Sequence, residues 1–546
     1  MKYVGITIGP IFKTIGEAIS PAGLWFGSYF FSTVTKKLCE KLIEIPNVKI
    51  FSPFYDSNSN QNPQEDGIGR YHDRILFSVD GNTVTEEKLQ KIISAVKKEM
   101  AKKFGTFKTD KEIMLFIDNY LRIDFVFFDE KTMNGIIEKR EKEGEDGNNI
   151  AIILNDALDA LELMAAGKGR TDKNLFAPFF AGQKDNRNVY IKGSKLFTDT
   201  KLNSQLLTSY SDHASELKSI EDIALSRKKE ENSSDRSPSG EIAPIRSEYY
   251  AVVNSDGDKV GTLLKALCKD VEIPEQSDRI NSFSSACLDY AGEAAKLVGD
   301  YGGMTIYAGG DDLLFIAPVH SIFALCQKLN ILFIDTLSKS IKELKEEINV
   351  SLSFGVAVQY VKYPLYEALE RARVQLYKAK ESYGKRPNGS KISGGNRLGI
   401  ELVKHSGKTV QLMVENEKLG IIDNLIDYRA TTNDQALESV LYNLQDTEII
   451  FKLLFEKTAQ NEFDFQKYNT RFLNNFNNPN QLAYHDYLEN IAEFFYNNYL
   501  KEYKDKPETK EKIDGICIKR NISIGEFYTK ELQAILFLVK FWQGGK

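Results

Sequence analysis

The run TIYAGGDDLLFIA occupies residues 305–317 and has the pattern of a tight β-hairpin. Apolar residues flank a Gly-Gly-Asp-Asp centre, and glycine permits the positive φ values that a primed hairpin turn requires. Adjacent aspartates after glycines are also common in surface turns, but such a turn seldom needs apolar strands on both sides. The run therefore predicts two paired strands with Asp311 and Asp312 just past the turn.

A second strand that ends in carboxylates precedes the hairpin. Residues 250–258 read YAVVNSDGD, in which an apolar run leads to Asp256. Strand, helix, hairpin, helix and strand follow in ferredoxin-like order, which makes the first strand and the hairpin neighbours in one sheet. Asp256 is therefore expected to meet Asp311 and Asp312 at one edge. Three such carboxylates suit a hard divalent cation, Mg²⁺ or Mn²⁺, and predict phosphoryl or nucleotidyl transfer.

Glycines and lysines complete the candidate site. Glycine leaves backbone amides open to close approach by a triphosphate. A further strand, SLSFGVAV at residues 351–358, leads to a helix that contains LYKAK at residues 376–380, and the lysines of that helix can neutralise phosphates. The predicted nucleotide-binding residues are Gly257, Gly309, Gly310, Lys378 and Lys380.

The domain organisation follows from length and from a repeat of the same element order. At 546 residues the chain exceeds what one hydrophobic core supports. The ferredoxin-like order, the framework of many palm domains, is predicted twice, so the fold class is α+β. We expect a first, degenerate palm over 1–170 and a mainly helical insert and linker over 171–245. A catalytic palm over 246–397 and a C-terminal helical bundle over 398–546 follow.

Composition limits the partners and the compartment. The net charge is -6, from 77 acidic and 71 basic residues, so any RNA contact must be local or shared with partners. Five cysteines without Cys-x-x-Cys spacing indicate reduced thiols, and no secretion signal is evident. The longest apolar stretches fall short of the roughly 20 residues that cross a bilayer. These features predict a cytoplasmic protein that does not contact a membrane.

These motifs resemble the GGDD palm of the large subunit of type III CRISPR effector complexes. The same strand and helix signature occurs in GGDEF diguanylate cyclases. ITIGP at residues 6–10 and LWFGS at residues 24–28 are similar to the opening of that subunit's first palm in the Cmr (III-B) type. Many members begin with an HD nuclease domain, whereas here the first palm starts at residue 3, so we expect a member that lacks it. His72-Asp73 and His485-Asp486 do not supply enough metal ligands in a chain with five histidines.

The resemblance implies a target-RNA-activated reaction. The 3′-hydroxyl of one ATP would attack the α-phosphate of another nucleotide, which gives cyclic oligoadenylate; some members instead join AMP to S-adenosylmethionine. Asp256, Asp311 and the Gly257 backbone would hold metal, and Asp312 would assist the metal or deprotonate the hydroxyl. The implied partners are other effector subunits, CRISPR RNA and target RNA. Two alternatives stay open: a GGDEF-like dinucleotide cyclase outside CRISPR, and a structural subunit with an inactive palm.

Overall fold

The computed structural model describes most of the chain. The described residues are 1–16, 18, 20–56, 67–81, 83–103, 114, 117–143, 149–167, 218–226, 248–340, 349–385, 390–427, 435–476 and 482–543.

The first palm contains one antiparallel sheet, with strands in the order β2-β3-β1-β4. This is the ferredoxin-like order, and the predicted α+β class is confirmed. One face of the sheet packs on the apolar helix α2, whereas α5 covers the other face. The elements are β1 (Lys2–Gly9), α1 (Ile11–Ile15), α2 (Pro21–Ile43), β2 (Val48–Ser52), β3 (Arg74–Val79), α3 (Glu86–Lys103), β4 (Arg122–Asp129), α4 (Glu130–Lys142) and α5 (Ile150–Gly167).

The predicted insert and linker over 171–245 lie mostly outside the described residues. Within them the structure describes one short helix, α6 (Ile220–Leu225), which begins with a capping box formed by Ser219 and Asp222. The helix packs on the second palm. The domain boundaries in this region stay predictions.

The second palm repeats the topology of the first. Its strands β8, β5, β7 and β6 lie in that order and are all antiparallel, because β5 pairs with both β7 and β8. Nearly every residue of β5 and β8 is buried, as their continuous apolar runs predict. The elements are β5 (Tyr249–Asp258), α7 (Val260–Cys268), α8 (Ile273–Asp300), β6 (Met304–Gly309), β7 (Asp312–Pro318), α9 (Ile322–Ser340), β8 (Ser351–Tyr360) and α10 (Leu365–Lys380).

The predicted start of the helical bundle at residue 398 is wrong. Two strands follow α10 and extend the palm sheet to six: β11 (Arg397–Val403) pairs in parallel with β8, and β12 (Thr409–Glu415) pairs antiparallel with β11. Leu398, Ile400 and Leu402 alternate with Gly399 and Glu401, which is the period of a strand rather than of a helix. A small hairpin, β9 (Gly384–Lys385) and β10 (Lys391–Ile392), precedes them.

The bundle itself begins after β12 and is built around its last helix. That helix buries an apolar face against several others, and Trp542 at its end donates to the Val319 carbonyl of the palm at 3.0 Å. The helices are α11 (Leu419–Asp427), α12 (Gln435–Asp446), α13 (Glu448–Ala459), α14 (Phe465–Asn474), α15 (Leu482–Phe495), a π-helical turn (Tyr496–Leu500), α16 (Lys501–Asp505), α17 (Pro507–Arg520) and α18 (Ile524–Trp542).

One stretch tests the prediction that no segment is long enough for a membrane. Val319–Ser338 spans 20 residues and is long and apolar enough to cross a membrane by length and composition alone, contrary to the prediction from the sequence. Half of its window is buried inside the protein, and Phe323, Leu329 and Phe333 are fully buried in the palm core. A core helix has this composition because one face must be apolar throughout.

Candidate functional site

Asp256 and Asp311 meet at the end of the palm sheet, as the sequence predicts. Asp256 lies on β5 opposite Ser353 of β8, and Asp311 lies in the turn that joins β6 to β7. The two carboxyl groups are hydrogen-bond neighbours. Gly257 makes this approach possible: a Cβ built there would stand 2.7 Å from Asp311 Oδ2 and 2.9 Å from Asp311 Cβ. A side chain at 257 would therefore displace Asp311.

The turn that carries Asp311 uses its two glycines differently. Gly309 pairs with Asp312, which leaves Gly310 and Asp311 as the two central residues. Gly310 has φ +67°, whereas Asp311 does not have a positive φ, which is the φ pattern of a type II′ turn. Gly309 has a steric role instead, because a Cβ there would stand 2.5 Å from the Tyr307 hydroxyl and 2.9 Å from the Arg70 carbonyl oxygen.

Lys380 reaches the same point from α10. Its Nζ lies 2.5 Å from Asp256 Oδ2 and donates to the Gly257 carbonyl at 2.7 Å. The helix packs directly on β8 because Gly355 has no side chain; a Cβ there would stand 2.0 Å from the Ala372 carbonyl oxygen. The oxygen atoms of Asp256 and Gly257 that were predicted to bind metal thus accept hydrogen bonds from Lys380.

Lys378 does not join this cluster. Its Nζ donates to Gln411 Oε1 of β12 at 2.9 Å, on the exposed side of the sheet extension. Side chains two positions apart in a helix project about 200° apart, so Lys378 and Lys380 cannot face the same site. The prediction that both lysines line one phosphate site is not supported by this geometry.

Asp258 completes the strand end, but its carboxylate oxygens already accept hydrogen bonds from neighbouring protein groups. Ser351 and Ser353 donate to its carboxylate at 2.8 Å, and the Asn396 N–H donates at 2.7 Å. The residue is 8% exposed. These bonds fix the end of β5, so Asp258 positions Asp256 rather than facing a ligand.

Asp312 lies beside the pair and reaches solvent. Burial and then the charge of Asp256 raise the pKa of Asp311 to about 6. Desolvation by the surrounding protein, followed by the charges of Asp311 and Asp256, raises the pKa of Asp312 well above its usual range. Since the Asp312 side chain is exposed, the like charges are the part of this shift that persists in an open cleft.

The first palm contributes residues that the sequence analysis missed. The Ala308 N–H donates to the Gly69 carbonyl at 3.1 Å, and Gly69 forms a parallel bridge with Tyr307. Arg70 follows, with its carbonyl against Gly309. Asp73 is close enough to raise the pKa of both Tyr307 and Asp312. These residues belong to the run Gly-Arg-Tyr-His-Asp at 69–73, but no local sequence pattern predicts that this run contacts the hairpin.

The segment before β3 is held by α2. Trp25 donates to the Gly67 carbonyl at 2.6 Å, and Ser32 accepts from the Tyr71 N–H at 2.8 Å. His72 lies in the same segment, where it contacts Ser52 Oγ at 3.1 Å and accepts from the Arg74 N–H. Burial lowers the pKa of His72 to about 4, so the imidazole is neutral.

The donor set fits a divalent cation. Two carboxylates held in contact repel each other, and a divalent cation between them removes that repulsion while it accepts oxygen ligands. The predicted convergence of three carboxylates is found only in part, because Asp256, Asp311 and Asp312 do not all place a ligand atom within 4.8 Å of one another. In the described part of the chain, only His485, Asp486 and Glu489 form a trio that does so. That trio is exposed on one helix. Asp256 and Asp311 therefore form the inner pair, with Asp312 alongside.

Family comparisons identify both palms. Residues 249–387 match the model described as Cas10/Cmr2, second palm domain, and residues 3–106 match the model described as CRISPR-associated protein Cmr2, N-terminal. The two palms match Cas10/Cmr2 domain families. Both strands and the turn that bring Asp256 and Asp311 together lie inside the second-palm match, so the carboxylate pair belongs to the Cas10/Cmr2 domain.

Individual Cas10/Cmr2 relatives are more distant. The CRISPR system Cmr subunit Cmr2 of Pyrococcus furiosus is 30% identical over 196 residues, which cover 32% of this chain and only 21% of that protein. A type III-B Cmr-beta structure in the apo state has TM-score 0.48 at 12% identity and covers 83% of this chain and 76% of its own. A Csm1-Csm4 cassette in complex with pppApA has TM-score 0.47 at 12% identity, with coverages of 100% and 69%.

Proposed function

We propose that the second palm is a metal-dependent nucleotidyltransferase that makes an adenylate second messenger from ATP. The observation that supports this most strongly is the Asp256–Asp311 pair beside Gly257 and Lys380, at the sheet end of a Cas10/Cmr2 palm. Two carboxylates that repel each other do not stabilise the apoprotein, so their placement points to a bound cation.

In this proposal a 3′-hydroxyl attacks the α-phosphate of ATP. The new bond joins the 3′-oxygen to phosphorus, the α–β anhydride bond breaks, and pyrophosphate leaves. A bound divalent cation would polarise the phosphate oxygens and stabilise the leaving pyrophosphate. Asp256 and Asp311 would hold that cation, whereas the exposed Asp312 would accept the hydroxyl proton. Lys380 lies on Asp256 and is placed to transfer its contact to a phosphate oxygen.

The acceptor is either a second ATP or S-adenosylmethionine. A triphosphate acceptor needs basic groups around it, whereas a sulfonium favours carboxylates and aromatic rings. Asp73 of the first palm and Tyr307 of β6 lie beside the hairpin and suit a sulfonium, whereas Lys380 beside Asp256 is a basic group that suits a triphosphate. Both acceptors therefore remain in the proposal.

We further propose that the chain works inside a type III effector complex in the cytoplasm, where ATP and RNA are present. The Pyrococcus furiosus relative is a Cmr subunit, and the similar structures include a Cmr-beta complex bound to cognate target RNA. Other effector subunits, CRISPR RNA and target RNA are the proposed partners. A net charge of -6 is consistent with RNA contacts made mainly through those subunits.

The alternatives differ from this proposal in testable ways. A GGDEF-like dinucleotide cyclase would act on GTP without other subunits, and the Cmr2 N-terminal match of the first palm argues against it. A structural subunit with an inactive palm would keep its assembly role and make no product.

The deciding experiment replaces both turn carboxylates. Asp311→Asn with Asp312→Asn keeps the side-chain shape but removes the negative charges that would bind the metal. We therefore expect nucleotide synthesis by the RNA-bound complex to fall by at least about 100-fold. The melting temperature is expected to stay the same or rise, because like charges are removed. The exposed Asp335→Asn on α9 is the matched control. Undiminished synthesis in the double variant would refute the site.

Product analysis separates the acceptors. The activated complex receives labelled ATP alone, or ATP with S-adenosylmethionine, and products are measured by mass spectrometry. Oligoadenylate alone in both reactions eliminates the conjugating reaction. An adduct that forms only in the second reaction, without oligoadenylate in either, eliminates the cyclising one. No product from either nucleotide mixture favours the inactive structural subunit.

A further inference from the structure

A cavity lies between the palm and the C-terminal bundle, away from the carboxylate pair. Its volume is about 400 Å³. The palm supplies β12 and the residues that follow α10, and the bundle supplies α17 and α18. A cavity of this size is in the range that holds a ligand of nucleotide size.

The cavity is lined by an excess of positive charge. Six basic residues and three acidic residues face it, although the whole chain carries a net charge of -6. The basic residues are Lys378, Arg397, Lys418, Lys512, Lys519 and Arg520. Positive charge concentrated in a concave, partly desolvated site attracts anions more strongly than the same charge on an open surface.

Arg397 is the central feature of this lining. The residue is only 6% exposed, and its guanidinium donates to two carbonyl oxygens, from Nε to Ala379 at 3.0 Å and from Nη2 to Glu381 at 2.5 Å. It stacks over the Tyr383 ring at 4.0 Å. Among the described residues Arg397 has no carboxylate partner, and Nη1 makes no hydrogen bond. Burial lowers its pKa, although the charges of Tyr383 and of nearby carboxylates, led by Glu415, partly oppose that shift.

Two lysines of the opposite wall contact Glu415, and one of them also contacts a second carboxylate. Lys418 lies 3.4 Å from Glu415 and 3.0 Å from Glu502, whereas Lys512 lies 3.5 Å from Glu415. Both ammonium groups also face aromatic rings, at 4.5 Å from the Tyr499 centroid and 5.4 Å from the Tyr383 centroid. Aromatic faces stabilise cations without neutralising them, so the positive charge remains available to a ligand.

The third acid of the lining, Glu531, reduces this excess little. Burial raises the pKa of Glu531 to about 7, so the carboxyl holds its proton for much of the time near neutral pH. Its protonated form can also donate a hydrogen bond to an anion. Glu381 lies at the rim and pairs with Lys519 at 2.8 Å.

We propose that this cavity binds a small phosphate-bearing anion. Arginine and lysine donors that converge without enough carboxylates match the several oxygens of a phosphate, and Arg397 has a free edge to present to one of them. The site is separate from the proposed catalytic centre but connected to it. Arg397 follows Asn396, whose N–H donates to Asp258, and the cavity residues Gln375 and Lys378 lie on the helix that carries Lys380.

Binding of simple probes to the full chain tests the proposal without reference to activity. Isothermal titration with inorganic pyrophosphate, AMP and ATP is carried out in EDTA, which removes divalent cations from the carboxylate pair. We expect at least one probe to bind. Lys512→Gln should weaken it about tenfold, because one charge-assisted contact is lost while the surface lysine is not needed for folding. Lys530→Gln on α18 is the matched control, since Lys530 is exposed and pairs with Glu526.

The three probes distinguish the source of the phosphate. Binding of pyrophosphate identifies a general phosphate site, whereas binding of AMP or ATP alone identifies a nucleotide site; both support the proposal when Lys512→Gln weakens them. Arg397→Gln provides a second test if the variant keeps its melting temperature. Absence of binding by all three probes, or equal affinity in wild type and Lys512→Gln, overturns the proposal.

Discussion

At the scale of single residues, Gly257 decides whether Asp311 can stand beside Asp256. In Gly257→Ala the new methyl would lie 2.7 Å from Asp311 Oδ2 and 2.6 Å from Val260 Cγ2. Asp311 must move by about an ångström, and a displacement of that size can lower the rate about 100-fold. We expect nucleotide synthesis to fall by this factor while RNA-bound complex assembly is unchanged.

A control for this substitution lies four residues further along. A Cβ at Gly261, in the first turn of α7, meets nothing within 4 Å. Gly261→Ala should therefore leave synthesis unaffected and raise the melting temperature slightly, since alanine favours helix. If the two alanine variants have equal activity, the contact between Gly257 and Asp311 does not matter for the reaction.

At the scale of elements, the packing of α10 on β8 sets the position of Lys380. In Gly355→Ala the added Cβ would stand 2.0 Å from the Ala372 carbonyl and 2.2 Å from the Leu376 nitrogen, both of which are backbone atoms. Because backbone cannot rotate aside, the helix must move away, at a cost of about 1–3 kcal/mol. Thermal unfolding should show a clear decrease in melting temperature, together with reduced synthesis.

The comparison for this prediction is Gly299→Ala near the end of α8, where a Cβ meets nothing within 4 Å. Its melting temperature should equal or exceed that of the wild type. A wild-type melting temperature in Gly355→Ala would mean that α10 is not seated on the sheet as described.

At the scale of the whole molecule, Glu531 links stability to pH. Its folded-state pKa is about 7, above the ordinary value of 4.5. The folded protein therefore holds the proton more tightly than the unfolded chain, and the free energy of unfolding decreases as pH rises from about 4.5 through 7. The carboxyl lines a cavity that water reaches, so we expect a decrease of about 1–2 kcal/mol.

Glu531→Gln should remove this pH dependence. Thermal unfolding at pH 5 and pH 8 should show the variant gaining stability relative to wild type only at pH 8. Glu493→Gln, at an exposed position of α15, provides the comparison. A stability difference between Glu531→Gln and wild type that is the same at both pH values would contradict the buried-proton explanation.

The sequence predicted the fold class and the inner pair because both depend on local patterns. Apolar strands around Gly309 and Gly310 specify a hairpin, and ferredoxin-like order makes that hairpin the neighbour of Asp256. Lys378 was misplaced because the direction of a helical side chain depends on how the helix is rotated against the sheet. Arg70 and Asp73 were missed because contacts between distant segments leave no periodic signal. The assigned roles and the absence of a nuclease domain stay predictions.

The bridge between Gly69 and Tyr307 bears on the order in which the protein is made. β6 is the outermost strand on its side of the palm sheet, and an uncovered strand edge can pair with another chain. The covering segment precedes that strand by more than 200 positions, so the ribosome releases it first. The hairpin that carries Asp311 and Asp312 is therefore synthesised after the segment that covers its edge strand, in a first palm that has had time to fold. We expect the first palm to protect the edge of β6 from pairing with another chain.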